Sequence, residues 1–186
     1  MSKKKKCKHC GNEFAQRNST HVACSLDCAM ALARARLERK EAKEHRAKLR
    51  RMKENAKTLG QLAKEAQAEF NKYIRLRDAN KPCISCGRWH QGQWHAGHYR
   101  TVGANPELRF EELNVHRQCA PCNNHKSGDI VNYRFNLLTR IGADKVEWLE
   151  GPHEPKKYTR EQLKEIKKKY REMAKQLKAD QDENRG

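Results

Sequence analysis

The chain has 186 residues, of which 36% are hydrophobic and only 6% aromatic, while 34% carry a charge. This composition excludes one large hydrophobic core and indicates small folded units joined by solvated helices. Lysine and arginine number 41 against 23 aspartate and glutamate residues, which gives a formal net charge of +18. Nucleic acid is therefore the expected partner, because cationic side chains that neutralise phosphates release condensed counterions.

The amino-terminal residues do not have the pattern of a targeting signal. Lysines at positions 3–6 are followed by cysteines and polar residues instead of an apolar stretch, so we expect no secretory signal. The chain also has no apolar run of 18 residues, and we expect a soluble, cytoplasmic protein without a membrane partner. A reducing compartment keeps cysteines as thiolates, and all eight cysteines fall into pairs with zinc-ligand spacing.

The first two cysteine pairs predict a zinc module over residues 1–33. One pair is CxxC, and the members of the other stand four residues apart, hence on one face of a helix. Four thiolates complete a tetrahedral structural zinc site, with His9 or His21 as an alternative to one of them. The predicted ligands are Cys7, Cys10, Cys24 and Cys28.

Two helical tracts follow. The first runs from near Ser25 to Lys57 and is made largely of Ala, Arg, Lys and Glu, which favour helix. It has too few large apolar residues for a core-facing stripe, so residues 34–57 are expected to form a solvated basic linker. From Thr58 to Arg77 apolar residues recur every three or four positions, which predicts an amphipathic helix packed on the central unit.

Two further CxxC pairs predict a second structural zinc ion, so the chain is expected to bind two in total. The pairs are Cys83 with Cys86 and Cys119 with Cys122. Two such knuckles fill every position of a tetrahedral zinc, so the polar residues between them are available for other chemistry.

A ββα unit is predicted around these knuckles. One short strand ends near His98, a second begins near Asn114, and the chain after Cys122 should turn into a helix that carries Asn123. Such a unit suits a one-metal nuclease. One group must deprotonate water, and a divalent cation must stabilise charge on the scissile phosphate.

These motifs resemble known nucleases. Gly97-His98, Glu112-Leu113-Asn114-Val115 and Cys119-x2-Cys122-Asn123-Asn124-x-Lys126 resemble HNH (His-Me finger) endonucleases with a zinc ribbon. More closely, Trp94-His95-Ala96-Gly97-His98-Tyr99 and Leu108-Arg109-Phe110, with the amino-terminal cysteine module, resemble the NinG/Rap recombination proteins of lambdoid phages.

The resemblance implies both a fold and an activity. The fold would be α+β and mainly helical, with a small zinc-stapled ββα-metal (HNH-like) nuclease core over residues 58–142, long basic helices and the amino-terminal zinc module. The activity would be structure-specific cleavage of Holliday junctions, D-loops and other branched DNA in the bacterial host cell.

The resemblance also implies roles for single residues. His98 matches the general base, Asn114 the residue that orients it through the loop between the strands, and Asn123 a ligand of catalytic Mg²⁺ or Mn²⁺. Gly97 stands where such enzymes commonly carry an Asp or His ligand and cannot ligate. His95 and His125 are the candidate replacements.

Several alternatives remain open from the sequence. One makes His98 a ligand and His95 or His116 the base. Others make the chain a non-catalytic zinc protein that binds DNA or RNA, or a sequence-specific HNH nuclease. Four basic residues near the site could clamp phosphates: Arg100, Arg109, Arg117 and Lys126.

The carboxyl-terminal part predicts two more helices. An apolar pattern over residues 130–142 ends at Gly142. Residues 143–186 should form a loop, an amphipathic helix opened by a Thr159–Gln162 capping box, and a disordered tail after Ala179. The apolar stripe of that helix, or that of the helix before Arg77, predicts a homodimer contact, because two symmetric cuts resolve a four-way junction. The stripes are Leu163, Ile166, Tyr170, Met173 and Leu177, and Leu59, Leu62 and Phe70.

Overall fold

The computed structural model describes residues 4–183, which form two compact units divided between Lys57 and Thr58. Within the described range the chain forms five α-helices and two small antiparallel sheets. The mainly helical α+β class predicted from the sequence is confirmed. Among the described helices, none is both long enough and apolar enough to cross a lipid bilayer.

The first unit is a small hairpin followed by one long helix. Strand β1 (Lys4–Lys6) pairs antiparallel with β2 (Glu13–Ala15), and helix α1 spans Leu26–Ala56. The Ser25 hydroxyl caps α1 by accepting a hydrogen bond from the backbone N–H of Cys28. Helix α1 runs without a break through position 34, and none of its residues is buried.

In the second unit, two long helices pack along each other. Helix α2 (Leu59–Arg77) begins with a capping box between Thr58 and Gln61, and helix α5 (Arg160–Glu183) follows the Thr159–Gln162 capping box that the sequence predicts. Their apolar stripes form one core, in which Leu62 and Phe70 of α2 meet Leu163 and Tyr170 of α5. The two stripes therefore cover each other, except that Leu59 of the α2 stripe is half-exposed.

A two-stranded hairpin lies between these helices and a second core. Strand β3 (Trp94–His98) pairs antiparallel with β4 (Val115–Cys119), with Gly97 opposite His116. Helices α3 (Ile130–Ile141) and α4 (Ala143–Glu150) build the second core through Tyr133, Leu137, Val146 and Leu149. The sequence assigned α4 to a loop, because eight residues are too few for a helical period to stand out.

The helix expected directly after Cys122 is replaced by a single π-helical turn, Pro121–His125. Three consecutive residues then adopt positive φ, namely Ser127 (48°), Gly128 (88°) and Asp129 (49°). Left-handed residues cannot continue a right-handed helix, so regular α-helix begins only at Ile130.

The tail also differs from the sequence prediction. Helix α5 continues through Glu183, whereas disorder was expected after Ala179. Residues 184–186 lie outside the described range.

Candidate metal centres and candidate active site

The cysteine pairs of the second unit converge on one point. Cys83 and Cys86 lie on a tight turn in which the Cys83 N–H donates to the Arg88 carbonyl, and Cys119 ends β4. The sulfurs of these three cysteines and that of Cys122 lie within 4.8 Å of one another. Four sulfurs about 2.3 Å from a tetrahedral zinc would stand about 3.8 Å apart. The geometry therefore fits a zinc ion held by four protein ligands.

Neighbouring groups favour a thiolate at Cys83, whereas burial raises the pKa of the Cys119 and Cys122 thiols. Burial raises the pKa of the Cys83 thiol, but hydrogen bonds from backbone N–H groups, first that of Cys119, outweigh burial and lower it. His90 Nε2 lies 3.1 Å from Cys86 Sγ and can donate to a thiolate there. The guanidinium of Arg117 stacks over the Trp94 ring at 3.7 Å. The contact between His90 and Cys86 has no counterpart in the sequence motifs.

The first unit carries a second four-cysteine group. Cys10 Sγ lies 3.4 Å from Cys24 Sγ, and Cys24 Sγ lies 3.6 Å from Cys28 Sγ. Together with Cys7 these sulfurs also lie within 4.8 Å of one another, and all eight cysteines are free of disulfides. Both predicted cysteine groups can hold zinc.

Asn114 is fully buried and ties down the loop between the strands. Its side-chain oxygen accepts from the Arg100 N–H at 2.7 Å. Its amide nitrogen donates to the carbonyls of Arg100 and Leu108 at 3.0 and 3.2 Å. Because the Asn114 side chain satisfies these buried backbone groups, it holds the residues beyond His98 in one conformation.

His98 ends β3 and is partly buried. Its Nε2 lies 3.1 Å from the carbonyl oxygen of Arg109. Because a carbonyl oxygen only accepts, the neutral ring carries its proton on Nε2 and keeps its lone pair on Nδ1. Burial lowers the pKa of His98 below 6.5, the Arg109 carbonyl partly offsets this, and the Arg109 charge lowers it further. The ring is therefore neutral at neutral pH.

His98 and Asn123 line one cavity of about 370 Å³. The Asn123 amide nitrogen donates to Asn124 Oδ1 at 2.9 Å, which leaves its side-chain oxygen to accept from a ligand or to bind a cation. Thr101 and Ser127 bring hydroxyl groups to the same lining. The structure thus brings together two of the predicted catalytic residues, and the other lining residues are Ala96, Val102, Gly128 and Ile130.

Gly97 lies beneath the side chain of Gln118 from the neighbouring strand. A Cβ built on Gly97 would lie 2.0 Å from Gln118 Oε1, so no other residue fits without displacing Gln118. Gln118 is itself buried, and its amide nitrogen donates to Ser85 Oγ and to the Gly128 carbonyl, each at 2.6 Å. Gln118 therefore joins the strand before His98 to the left-handed turn that lines the cavity.

The remaining histidines lie elsewhere. His95 pairs with Gln118 across the strands and projects from the face opposite to that of His98, since side chains alternate along a strand. Its buried Nε2 has no hydrogen-bond partner among the described residues. His125 is exposed at the end of the π-helical turn. His116 has both ring nitrogens engaged, with Nε2 donating to the Leu113 carbonyl and Nδ1 accepting from Arg77, each at 3.1 Å.

Asp78, which the sequence placed in a loop, is fully buried at the end of α2. Its carboxylate accepts from Arg77 Nη2 at 2.8 Å and from the backbone N–H of Arg117 at 3.1 Å. Burial alone would raise the pKa of Asp78, but the paired guanidinium of Arg77 outweighs burial and holds the pKa well below its ordinary value. This group fastens β4 to α2, and no sequence motif connects residues so far apart.

The predicted phosphate-binding residues differ in their availability. Arg109 Nε donates to Gln67 Oε1 at 3.0 Å, and Arg117 donates to the carbonyl oxygens of the loop after α2. Arg100 is partly buried, with its Nε unpartnered among the described residues. Lys126 is exposed next to the cavity-lining turn, which makes it the most accessible of the four.

Comparison with known proteins places the chain in a family. The family model described as bacteriophage lambda NinG protein matches residues 1–181. The chain is 39% identical over 198 residues to protein ninG of Salmonella phage P22, covering 98% of each chain. It is 39% identical to protein ninG of Escherichia phage lambda over 196 residues and of Escherichia phage 933W over 194 residues, each covering 97% of this chain and 96% of the relative. No solved structure matches significantly. The chain therefore belongs to the NinG family of bacteriophage proteins.

Proposed function

We propose that this NinG-family protein is a metal-dependent endodeoxyribonuclease that cleaves branched recombination intermediates. The observation that carries the proposal is the cavity shared by His98 and Asn123, with a neutral imidazole on one side and an amide oxygen on the other. A structural zinc ribbon alone does not require either group. The high positive charge and the sequence resemblance to NinG/Rap endonucleases support DNA as the substrate.

In this proposal His98 takes a proton from the attacking water through Nδ1. The Arg109 carbonyl holds Nε2–H and so fixes which nitrogen faces the cavity. Asn114 keeps the loop from Arg100 to Leu108 in place and thereby supports the Arg109 carbonyl. His116 has no nitrogen available for this task, and His95 lies on the opposite face of the hairpin, so His98 is the favoured base.

The residues that line the cavity suit a weakly held hard cation. Asn123 offers an amide oxygen and Thr101 and Ser127 offer hydroxyls, and no carboxylate is among the described lining residues. Mg²⁺ takes oxygen ligands and commonly keeps several waters while substrate phosphates complete its shell. A bound Mg²⁺ or Mn²⁺ would stabilise charge on the scissile phosphate and on the leaving oxygen. Affinity for the cation should accordingly be much higher when DNA is present.

The test is a titration of Mg²⁺ and Mn²⁺ in cleavage assays on a four-way junction and on linear duplexes of matched sequence, at one fixed salt concentration. We expect metal-dependent cleavage of the junction and little cleavage of the linear duplex. His98→Ala should abolish cleavage and leave junction affinity within about twofold, because a general base acts on water and not on docking. His45→Ala, which changes an exposed histidine of the other unit, is the matched control.

Each alternative has its own outcome in this experiment. Binding without cleavage at any concentration of either metal would identify a non-catalytic zinc protein and refute the proposal. Cutting of linear DNA at one preferred sequence would identify a sequence-specific nuclease. Wild-type rates for His98→Ala would show that the base is misassigned.

A further inference from the structure

Helix α3 carries large apolar residues on its exposed side as well as on its buried side. Tyr133 and Leu137 are fully buried in the second core. Val131 and Phe135, one helical turn apart, are 82% and 72% exposed. The core does not explain the second pair, since a surface helix normally presents polar residues to water.

This exposed pair lies next to the candidate active site. Val131 directly follows Ile130, which lines the cavity together with His98 and Asn123 and is itself 39% exposed. The exposed pair therefore lies in the first two turns of the helix whose first residue lines the cavity. A substrate that occupies the cavity would extend over this surface.

The charges in the sequence around α3 favour a polyanion as the partner of this surface. Between Leu113 and Ala143 the sequence has a single acidic residue, Asp129, whose carboxylate accepts a hydrogen bond from Asn132 at 2.8 Å. The stretch has four basic residues, of which Arg134 is paired with Glu150 and Arg117 donates to the Ala79 carbonyl, while Lys126 stays exposed beside the cavity-lining turn. A second copy of the chain would bring the same positive charge against it, which disfavours self-association through this surface.

DNA combines negative charge with flat apolar surfaces, but a continuous duplex keeps its base faces stacked and inaccessible. At a branch point the stack is interrupted, and base faces become available to aromatic and aliphatic side chains. We propose that Val131 and Phe135 contact unstacked bases at the branch point and thereby select branched over linear DNA. The proposal deepens the function proposed above and rests on it for the identity of the substrate.

The test measures binding with 2-aminopurine placed beside the branch point of a four-way junction, without added Mg²⁺ or Mn²⁺. Wild-type protein should increase the 2-aminopurine fluorescence, because the base leaves its stacked neighbours. Phe135→Ser and Val131→Ser should lose this increase and bind the junction about tenfold more weakly, with affinity for linear duplex unchanged. Leu49→Ser, at a 43% exposed apolar residue of α1, is the matched control and should behave as wild type.

The outcomes separate this proposal from the nuclease activity. A fluorescence increase that depends on Phe135, in a protein that cuts no DNA with any metal, would support the branch-point contact while refuting catalysis. Wild-type fluorescence and affinity in Phe135→Ser would overturn the contact whatever the cleavage rate. Conversion of a dimer to a monomer by Phe135→Ser, measured by sedimentation, would show that this surface joins two copies and would also overturn it.

Discussion

At the scale of single residues, the His98 ring determines how cleavage should depend on pH. Burial lowers its pKa below 6.5, and only the neutral ring can accept a proton from water. We therefore expect the single-turnover rate on junction DNA to stay level as pH falls from 8 to about 6.5, and to decline only below that value. A rate that already falls between pH 8 and 7 would point to a different base.

Gly97 is required by a neighbour and not by its own backbone conformation. Gly97→Ala places a Cβ against Gln118 Oε1 and should displace that buried side chain from its hydrogen bonds to Ser85 and Gly128. We expect a loss of about 1–3 kcal/mol in the free energy of unfolding, measured by urea denaturation.

Two variants check this explanation. Gly103→Ala is the control, because a Cβ there meets nothing within 4 Å. Gly97→Ala combined with Gln118→Ala should be less destabilising than the sum of the two single changes, since the second change removes the Gln118 Oε1 and Cδ atoms that would lie 2.0 and 2.9 Å from the added Cβ. Additive losses would contradict it.

At the scale of elements, Asp78 joins α2 to β4. Asp78→Asn should lower the free energy of unfolding by about 3 kcal/mol at pH 7, because it leaves buried donors of Arg77 and of the Arg117 backbone without a charged acceptor. The folded-state pKa lies below the unfolded value of about 3.9, so this stability is present above pH 3.9 and is lost as pH falls below it.

The difference between wild type and Asp78→Asn should therefore shrink below about pH 4, as followed by thermal or urea unfolding. Asp182→Asn, at an exposed aspartate of α5, serves as the control and should change stability by less than about 0.5 kcal/mol. A pH-independent difference would show that Asp78 acts through packing and not through its charge.

At the same scale, the two cysteine groups determine the zinc content and the stability of the units that contain them. We expect two zinc ions per chain by elemental analysis of purified protein. Cys119→Ser should leave one zinc and unfold the second unit, because structural zinc supplies much of the folding free energy of so small a site. Circular dichroism should still show the helix of the first unit, whose cysteines are intact. A protein with one zinc or none before mutation would refute the assignment.

At the scale of the whole molecule, the homodimer remains a prediction whose contact surface must be reconsidered. Apart from the half-exposed Leu59, the two stripes named from the sequence pack against each other in α2 and α5. Light scattering or ultracentrifugation on junction DNA should show two chains per junction, since two symmetric cuts need two active sites. Replacement of Leu163 by Ala should reduce stability by about 2–5 kcal/mol without changing this stoichiometry. One 21.7 kDa chain per junction would contradict the dimer.

The sequence by itself determined the features that depend on short-range spacing. CxxC pairs, the capping box at Thr159, and apolar residues every three or four positions are local signals, and they located the cysteine groups and helices α2, α3 and α5. Helix α1 was located by its helix-favouring composition. The family could also be recognised, because its motifs are short stretches of fixed spacing.

Tertiary structure alone decided which of these features meet. Gln118 covers Gly97 across the hairpin, Asp78 reaches the backbone of β4 from the end of α2, and His98 shares a cavity with Asn123. The apolar stripes proposed for a dimer instead fill the core of one chain. These contacts join residues 21 or more positions apart, whose proximity depends on strand register and helix packing that no local pattern encodes.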